Sequence, residues 1–364
     1  MLLSSLSVKN FRKHISSNFQ FAEGLNYIVG QNSIGKTSIL EAIHYLCSSK
    51  SMLAKDNEVV NFNSDKFEIE GIFRNKNVNK VRIFFNKSEN KKYFLLNGKQ
   101  VNKASEILGK FPVVTLTPED HQITQGTPAE RRKFFDSVFS QANKTYLDFL
   151  IDFNKILKHR SIILNKLSEK FTPSLLDELE SWTENLITKG SQIIKYRKKF
   201  IRDFNNYLID SYAQIMDSDE IPSIKYVTVS EEPDFDEEIV LRSLIEKNKQ
   251  LEIKRNMNLF GPHRDDFLFE INGINLKKFG SQGQNKTFQI TLRFAEFFYL
   301  KEFTDETPVF LLDDVFSELD AFRAGKVSNF LKQVGQAFIT LTDFSNMNFL
   351  SKSDKDLIIN LSVS

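Results

Sequence analysis

The chain has 364 residues, of which 41% are hydrophobic and 26% charged, and its net charge is +2. This length and balance predict a folded protein with two domains or lobes, and the small net charge does not by itself indicate a polyanionic partner. The single cysteine, Cys47, excludes an internal disulfide framework and a thiolate metal cluster. The first residues lack the pattern of a signal peptide, and no apolar run approaches the roughly 20 residues that span a bilayer, so we expect a cytoplasmic protein.

Charge is distributed unevenly along the chain. Residues 74–110 carry ten Lys or Arg side chains against two glutamates, and residues 217–238 carry nine acidic side chains against one lysine. This asymmetry is typical of a protein with one face for a polyanion. Solvated strands and a solvated acidic loop would give the same pattern.

Strands and one helix are predicted for the N-terminal part. Short apolar runs predict strands within residues 1–29, and apolar residues at helical spacing predict a helix over 36–47. Residues 67–96 alternate as short strands and lead into Asn97-Gly98, which is typical of a two-residue hairpin turn.

The middle of the chain is predicted to be helical. Thr127 and Pro128 indicate a helix start with Glu130 as the capping-box partner, and the apolar spacing continues as one long helix to about residue 170. A second long helix over 174–216 is expected to pack antiparallel to the first. The acidic stretch is predicted as a loop or strand edge, and a third helix is predicted over about 237–254.

The strand pattern returns from about residue 258. Residues 267–271, followed by Asn272-Gly273, predict a second hairpin. The remaining predicted elements are a helix at 284–301, a strand at 309–312, a helix at 321–334 and a strand at 337–340. We therefore predict one α/β domain (1–125 plus 256–364) with an inserted helical lobe (126–255).

Residues 30–37 match the phosphate-loop pattern G-x-x-x-x-G-K-[ST] between a strand and a helix. Backbone N–H groups and the helix N-terminus would face a polyanion, Lys36 would neutralise β- and γ-phosphate charge, and Thr37 would bind Mg²⁺. The predicted nucleotide-binding residues are Gly30, Gln31, Asn32, Ser33, Ile34, Gly35, Lys36 and Thr37. A glycine-rich turn with an accidental lysine is the alternative.

The apolar strand 309–312 ends in two carboxylates, Asp313 and Asp314. Asp313 is predicted to hold Mg²⁺, and Asp314 is predicted to orient or deprotonate the attacking water. Together with Lys36 they are the predicted catalytic residues. A helix N-cap is the alternative role for such a pair.

A second small loop consists of Ser281, Gln282, Gly283 and Gln284, and it opens a predicted helix. Ser281 is placed to donate to a phosphate at the helix N-terminus. Because one such loop suffices within one protomer, a second indicates the nucleotide of another protomer. An ordinary flexible loop is the alternative.

These motifs, in this order, resemble ABC-type ATPase heads, and within that class the chain is similar to the RecF family. The stretches that carry the resemblance are residues 8–12, 117–120, 126–134, 261–266, 280–284 and 311–320. They span essentially the whole chain. The resemblance implies an α/β fold, an ABC-type P-loop ATPase head (lobe I) with an inserted helical lobe II.

The resemblance also implies a function. It predicts an ATP-dependent, Mg²⁺-requiring head-to-tail homodimer, in which each nucleotide lies between the phosphate loop of one subunit and residues 281–284 of the other. It assigns Arg12 to the nucleotide and residues 317–320 to the D-loop at the interface. Slow hydrolysis would reset a dimer bound to single-stranded or gapped DNA during repair and replication, and RecO and RecR are the expected partners in loading RecA.

Some positions depart from transporter-type ABC proteins, which carry Glu at the position of Asp314 and a switch histidine at that of Thr342. Glu119 and Gln122 are alternatives for the Q-loop group. The rival functions are an SMC- or Rad50-like structural head, a transporter ATPase subunit and a nuclease of the overcoming-lysogenization type. They call for a long coiled coil, a switch histidine and an appended nuclease domain, respectively. The candidate DNA-contacting clusters are residues 74–110, 131–133 and 195–202.

Overall fold

The structure, a computed structural model, describes residues 1–52, 54–216, 219–228, 236–343 and 353–362. Its strands are β1 (Leu2–Phe11), β2 (His14–Gln20), β3 (Leu25–Val29), β4 (Lys66–Arg74), β5 (Val78–Asn86), β6 (Lys91–Leu96), β7 (Lys99–Val101), β8 (Val113–Leu116), β9 (Pro222–Val227), β10 (Asp266–Ile271), β11 (Ile274–Asn275), β12 (Val309–Leu312), β13 (Ala337–Leu341) and β14 (Leu357–Asn360). Its helices are α1 (Lys36–Ser48), α2 (His121–Gln125), α3 (Pro128–Ala142), α4 (Lys144–Glu169), α5 (Pro173–Ile215), α6 (Glu237–Arg255), α7 (Leu276–Phe279), α8 (Gln282–Phe303) and α9 (Ala321–Leu331).

The chain forms two compact units. The first, here the sheet unit, comprises Met1–Asp120, Asp210–Asp219 and Lys286–Ser364. The second, here the helical unit, comprises His121–Ile209 and Glu220–Asn285. None of the helices that the structure describes combines the length and apolar character that crossing a membrane requires.

A parallel sheet in the sheet unit has the strand order β14-β3-β13-β12-β8. Every residue of β12 and β13 is buried. Strands covered on both faces are continuously apolar, which explains why the sequence shows runs here and no alternation. Because β13 lies between β3 and β12, the carboxyl ends of all three strands meet at one edge of the sheet.

An antiparallel sheet in the same unit has the order β2-β1-β4-β5-β6-β7. In β4, buried Phe67 and Ile69 alternate with partly exposed Glu68 and Glu70, because one face packs on a core shared with α1. The predicted turn at Asn97-Gly98 is confirmed, since both residues have positive φ, 52° and 79°.

The predicted single helix 128–170 is wrong. It is divided into α3 and α4 at Asn143, whose side chain accepts a hydrogen bond from the Tyr146 backbone N–H at 2.9 Å. Asparagine competes for backbone donors in this way and starts a new helix. The predicted capping box is also wrong in detail, because Thr127 occupies the N-cap position without a side-chain cap hydrogen bond.

The predicted antiparallel helix pair is confirmed between α4 and α5. Lys189 donates to Asp152 at 2.9 Å and Arg160 donates to Thr183 at 3.1 Å, so contacts move backwards along α5 as they move forwards along α4. The hairpin at Asn272-Gly273 is confirmed as well, with φ values of 53° and 76°.

The acidic stretch 217–238 is described only in part, since residues 217–218 and 229–235 lie outside the described residues. Within the described part, β9 pairs antiparallel with β10, and Asp236 caps α6 by accepting from the Glu238 backbone N–H. Since β9 lies at the edge of the sheet β11-β10-β9, the expected strand edge is confirmed for the described part of this stretch.

Candidate nucleotide-binding site

The phosphate loop runs from the end of β3 to the start of α1. Gly30 N–H bonds to the Leu341 carbonyl at 3.2 Å, which fixes the start of the loop to β13. Gly35 has φ +110°, and a Cβ at this position would lie 2.8 Å from Nε2 of His14. Both conditions require glycine here, which is the physical reason for the second glycine of the motif.

Lys36 lies over its own loop. Its Nζ donates to the carbonyl oxygens of Gly30 at 2.7 Å and Gln31 at 3.1 Å. Burial lowers the pKa of Lys36, while Asp314 and Asp313 act in the opposite direction. Its two hydrogen-bond acceptors are neutral carbonyls, which the ammonium can exchange for charged phosphate oxygens.

Thr37 brings the phosphate loop to the carboxylate at the end of β12. Its hydroxyl lies 3.0 and 2.9 Å from the two carboxylate oxygens of Asp313. Burial raises the pKa of Asp313, and hydrogen bonds from Thr340 and Thr37 oppose that shift. A hydroxyl and a carboxylate side by side fit Mg²⁺, a hard cation that commonly takes one or two protein oxygens and completes its shell with phosphate and water.

Thr340 is a site residue that sequence reasoning missed. Its hydroxyl donates to Asp313 at 2.7 Å and accepts from the Asp314 backbone N–H at 2.8 Å, so it links both carboxylate residues. It lies on β13, between the strands that carry the phosphate loop and the two aspartates. The sequence offered no signal, because one threonine in a buried strand looks like core.

We expect Thr340→Val to slow ATP hydrolysis. Valine keeps the shape but leaves the Asp314 N–H without its acceptor and removes one of the two hydroxyl donors to Asp313, a loss of about 1 to 3 kcal/mol. If that loss is felt in the transition state, kcat falls roughly 5- to 100-fold with little change in KM. Thr340→Ser is the matched control, because it keeps the hydroxyl. Equal kcat values in the valine and serine variants would contradict the role.

Asp314 adopts an unusual backbone conformation. Its φ is +48°, and its carbonyl accepts from the Ser317 hydroxyl at 2.7 Å. The left-handed region is tolerated by Asp and Asn more than by most residues, and its use at a functional position is common. Asp314 therefore lies directly after Asp313, whose carboxylate oxygens face Thr37.

Arg12, predicted to contact nucleotide, is bound to a carboxylate in this structure. Its guanidinium makes two hydrogen bonds to Glu41, at 2.7 and 2.9 Å. The neighbouring residues contact the phosphate loop directly: Lys13 Nζ donates to the Ser33 carbonyl at 2.5 Å, and His14 Nε2 lies 3.1 Å from the Gly35 carbonyl. Lys13 and His14 were missed because their place depends on how the β1–β2 hairpin folds.

The second small loop lies in the helical unit and caps α8. Ser281 accepts from the Gln284 backbone N–H at 3.1 Å, and Gln284 accepts from the Ser281 backbone N–H at 2.9 Å. This reciprocal pair is a capping box. Ser281 and Gln282 are exposed, whereas Gly283 and Gln284 are partly buried, so the serine is available to a partner molecule.

Residues 317–320, the predicted D-loop, are fixed at both ends within the sheet unit. Glu318 pairs with Lys286, and Asp320 caps α9 by accepting from the Arg323 backbone N–H at 2.9 Å.

Glu119, one of the two alternatives for the Q-loop group, lies near enough to Asp313 to raise the pKa of that carboxyl. Thr342 follows directly after β13, the strand that carries Thr340.

Each of two candidate basic clusters, residues 131–133 and 195–202, contains an arginine that is buried and paired inside the helical unit. Arg131 is buried and pairs with Asp266 at 2.7 Å, and buried Arg197 pairs with Asp136 at 2.8 Å. These arginines stabilise the fold and are not available to DNA. Most basic side chains of residues 74–110 are exposed, in contrast.

Comparison with known proteins places the chain in a family. A family profile described as the RecF/RecN/SMC N terminal domain matches residues 2–358. The DNA replication and repair protein RecF of Chloroherpeton thalassium is 41% identical over 353 residues, covering 94% of this chain and 95% of the relative. That of Salinibacter ruber is 36% identical, covering 94% of this chain and 85% of the relative.

Solved structures agree with the sequence comparison. A structure of the recombination mediator protein RecF-ATPrS in the RecFOR pathway has a TM-score of 0.87 at 33% identity, covering 94% of this chain and 93% of that one. An Smc head domain from Pyrococcus furiosus, at 14% identity and a TM-score of 0.53, shares the fold. The expected α/β ABC-type head is therefore confirmed, and the chain belongs to the RecF family.

Proposed function

We propose that this chain is an ATP-switched recombination mediator that acts on DNA in repair and replication. The observation that carries nucleotide binding is the contact of Thr37 with both oxygens of Asp313, which joins a phosphate loop to a strand-end carboxylate. Relatives solved as RecF-ATP and RecF-ATPrS support ATP as the nucleotide. Curated relatives named for DNA replication and repair support the biological role.

The nucleotide acts as a switch in this proposal. Lys36 and the backbone N–H groups of residues 30–37 bind the triphosphate, and Thr37 with Asp313 holds Mg²⁺. Asp314 orients the attacking water, and hydrolysis is slow. Exposed Ser281 of a second copy completes the site, so that ATP supplies contacts present only in the dimer and shifts the population towards it.

We further propose the division of labour between lobes and partners. An ATPase lobe formed by residues 1–125 and 256–364 binds nucleotide, and a helical lobe at 126–255 completes the head. The dimer binds single-stranded or gapped DNA in the cytoplasm and assists RecO and RecR in loading RecA. A relative solved in the RecFOR pathway supports these partners.

A gel-shift titration tests the proposal. Gapped and blunt duplexes of equal length are titrated with the full chain, with and without ATP and Mg²⁺. We expect ATP to strengthen binding and the gapped duplex to be preferred. Absence of DNA binding in all conditions would overturn the proposed function, and ATP-independent binding would overturn the switch.

Binding should weaken steeply with salt if phosphate contacts lead. Each phosphate neutralised by a lysine contributes about −0.9 to the slope of log K against log salt. Among the described residues, Lys76, Lys87 and Lys99 are exposed and form no ion pair. We expect the triple glutamine variant to flatten the slope by up to about 2.7.

The control for this salt titration is Lys195→Gln with Lys198→Gln. These lysines are paired with Asp236 and Glu237, so their replacement should leave the slope unchanged. A flat response to salt in the unaltered protein would exclude phosphate-led binding. A triple variant with an unaltered slope would exclude the 74–110 cluster as the contact surface.

A further inference from the structure

The helix that follows the phosphate loop begins without a side-chain cap. Gly35 is the N-cap residue of α1, with φ 110° and ψ 15°, and it offers no side chain to accept from the first backbone N–H groups. A serine, threonine or aspartate cap would occupy the N–H group of the second or third helical residue. A phosphate at the helix N-terminus needs those same N–H groups. The missing cap therefore keeps these donors open, but the helix start lacks the stabilisation that a cap supplies.

His14 stabilises this helix start through a carbonyl instead. Its Nε2 lies 3.1 Å from the Gly35 carbonyl oxygen, which also accepts from the Ile39 backbone N–H at 3.3 Å. A carbonyl oxygen only accepts, so Nε2 carries a proton and donates. In a trans peptide unit the Gly35 carbonyl and the Lys36 N–H point in opposite directions. Fixing this carbonyl therefore directs the Lys36 N–H towards the open end of the helix.

The ring of His14 is held by its own strand. Its Nδ1 lies 3.1 Å from the Ser17 hydroxyl, and the ring packs edge-on against Phe19 at a centroid distance of 6.0 Å. All three residues belong to β2, and only 9% of His14 is exposed. Because Nε2 is the donor, Nδ1 of the neutral ring accepts from the Ser17 hydroxyl, and this bond fixes the tautomer. The donor that contacts Gly35 is therefore positioned by β2.

We propose that His14 is a positioning residue for the phosphates of the bound nucleotide and acts through the Gly35 carbonyl. The proposal rests on the proposed ATP binding at residues 30–37 and names a residue that keeps the loop in its binding conformation. Lys13 supports the same loop, because it donates to the carbonyl of Ser33, whose φ is +65°. Left-handed residues in a loop turn backbone N–H groups towards an anion. Since His14 acts on the loop and not on the base, its effect extends to any ligand with a phosphate chain.

Calorimetry of the full chain with ATP and with magnesium tripolyphosphate, which has no base, tests this assignment. His14→Phe keeps a planar ring and removes the donor, so affinity for both probes should fall by about 3- to 10-fold, the effect of one lost hydrogen bond. His14→Gln should restore both affinities, because its amide can donate to the same carbonyl. The control is His159→Phe, the same replacement at an exposed histidine of the helical unit, which should change neither affinity.

Steady-state kinetics distinguishes positioning from a loss of folded protein. His14→Phe should raise KM for ATP by the same factor and leave kcat unchanged, because the loop binds phosphate equally in the ground state and the transition state. A smaller folded fraction would instead lower the apparent kcat at an unchanged KM. Undiminished affinity in His14→Phe, a loss for ATP alone, or a His14→Gln chain as weak as His14→Phe would each overturn the role.

Nitrogen NMR of the imidazole rings gives a readout that does not depend on whether the phenylalanine variant folds. The chain has five histidines, and the signals of His14 are those that disappear in His14→Gln. At a pH where the ring is neutral, Nε2 should carry the proton and Nδ1 should not. A proton on Nδ1 alone would overturn the hydrogen bond to Gly35 and the proposal with it. Failure of the unaltered chain to bind either probe would instead overturn the proposed function, whatever the tautomer.

Discussion

Replacing Asp314 with asparagine is expected to slow ATP hydrolysis by about 100- to 10,000-fold, the usual contribution of a positioned general base. ATP binding should survive. The carboxamide fits the same space, Asn tolerates the φ of +48°, and the Ser317 hydroxyl bonds to the backbone carbonyl, which the substitution keeps. Single-turnover hydrolysis separates the two steps, because it starts from bound ATP.

The variant that binds but does not hydrolyse ATP should accumulate as a dimer. Sedimentation with ATP is expected to show more dimer for Asp314→Asn than for the unaltered chain. Lys36→Met is the control at the other extreme: it removes the ammonium now held by two carbonyls, costs about 3 kcal/mol or roughly 100-fold in ATP affinity, and should stay monomeric. An Asp314→Asn chain that hydrolyses ATP at the normal rate, or a Lys36→Met chain that dimerises with ATP, would contradict this scheme.

Much of the fold was predictable because local chemistry and tertiary environment agree. The Asn-Gly dipeptides at 97–98 and 272–273 need positive φ at both residues, and few sequences other than these supply it cheaply. The phosphate loop was predictable for the same reason, since Gly35 is required by its own φ and by the approach of His14. At such positions the residue type alone indicates the backbone conformation, so the sequence is enough to predict it.

What could not be predicted depends on contacts between distant parts of the chain. Thr340 belongs to the site because β13 lies between β3 and β12, and no spacing in the sequence expresses that order. The end of α3 was missed because the apolar spacing continues across Asn143, and only its side-chain cap interrupts the helix. Lys13 and His14 reach the phosphate loop through the fold of a hairpin.

The basic clusters also have partners that the sequence does not reveal, because these partners lie far away along the chain. Arg131 and Arg132 look like a surface patch, yet Arg131 pairs with Asp266 and Arg132 donates to the Asp265 carbonyl, more than 130 residues away. Burial lowers the pKa of Arg132, as expected for a guanidinium drawn partly out of water. A run of basic residues therefore predicts a binding surface only if its side chains are not already paired with acidic residues or carbonyls of the same chain.

Arg160→Ala is expected to destabilise the helical unit by about 3 to 5 kcal/mol. Arg160 and Glu252 are each 1% exposed and lie 2.8 Å apart, and Glu252 also accepts from the Leu259 backbone N–H at 2.8 Å. Removing the arginine leaves a buried carboxylate without its counter-charge, and Asn258 and Thr183 without a donor. Replacing an isolated ion pair at the surface does none of this.

Arg242→Ala is the matched control, because Arg242 bonds to Glu184 and Glu238 on the solvated surface of the same unit. Exposed pairs contribute less than about 1 kcal/mol, so its unfolding midpoint in urea should barely move. Trp182, stacked on His159 at a ring distance of 4.4 Å, reports unfolding of this unit through its fluorescence. The comparison isolates burial as the cause, since both substitutions remove an arginine paired with glutamate. If the two variants lowered the free energy of unfolding equally, the loss of the arginine side chain would be the cause, and not the unpaired buried charge on Glu252.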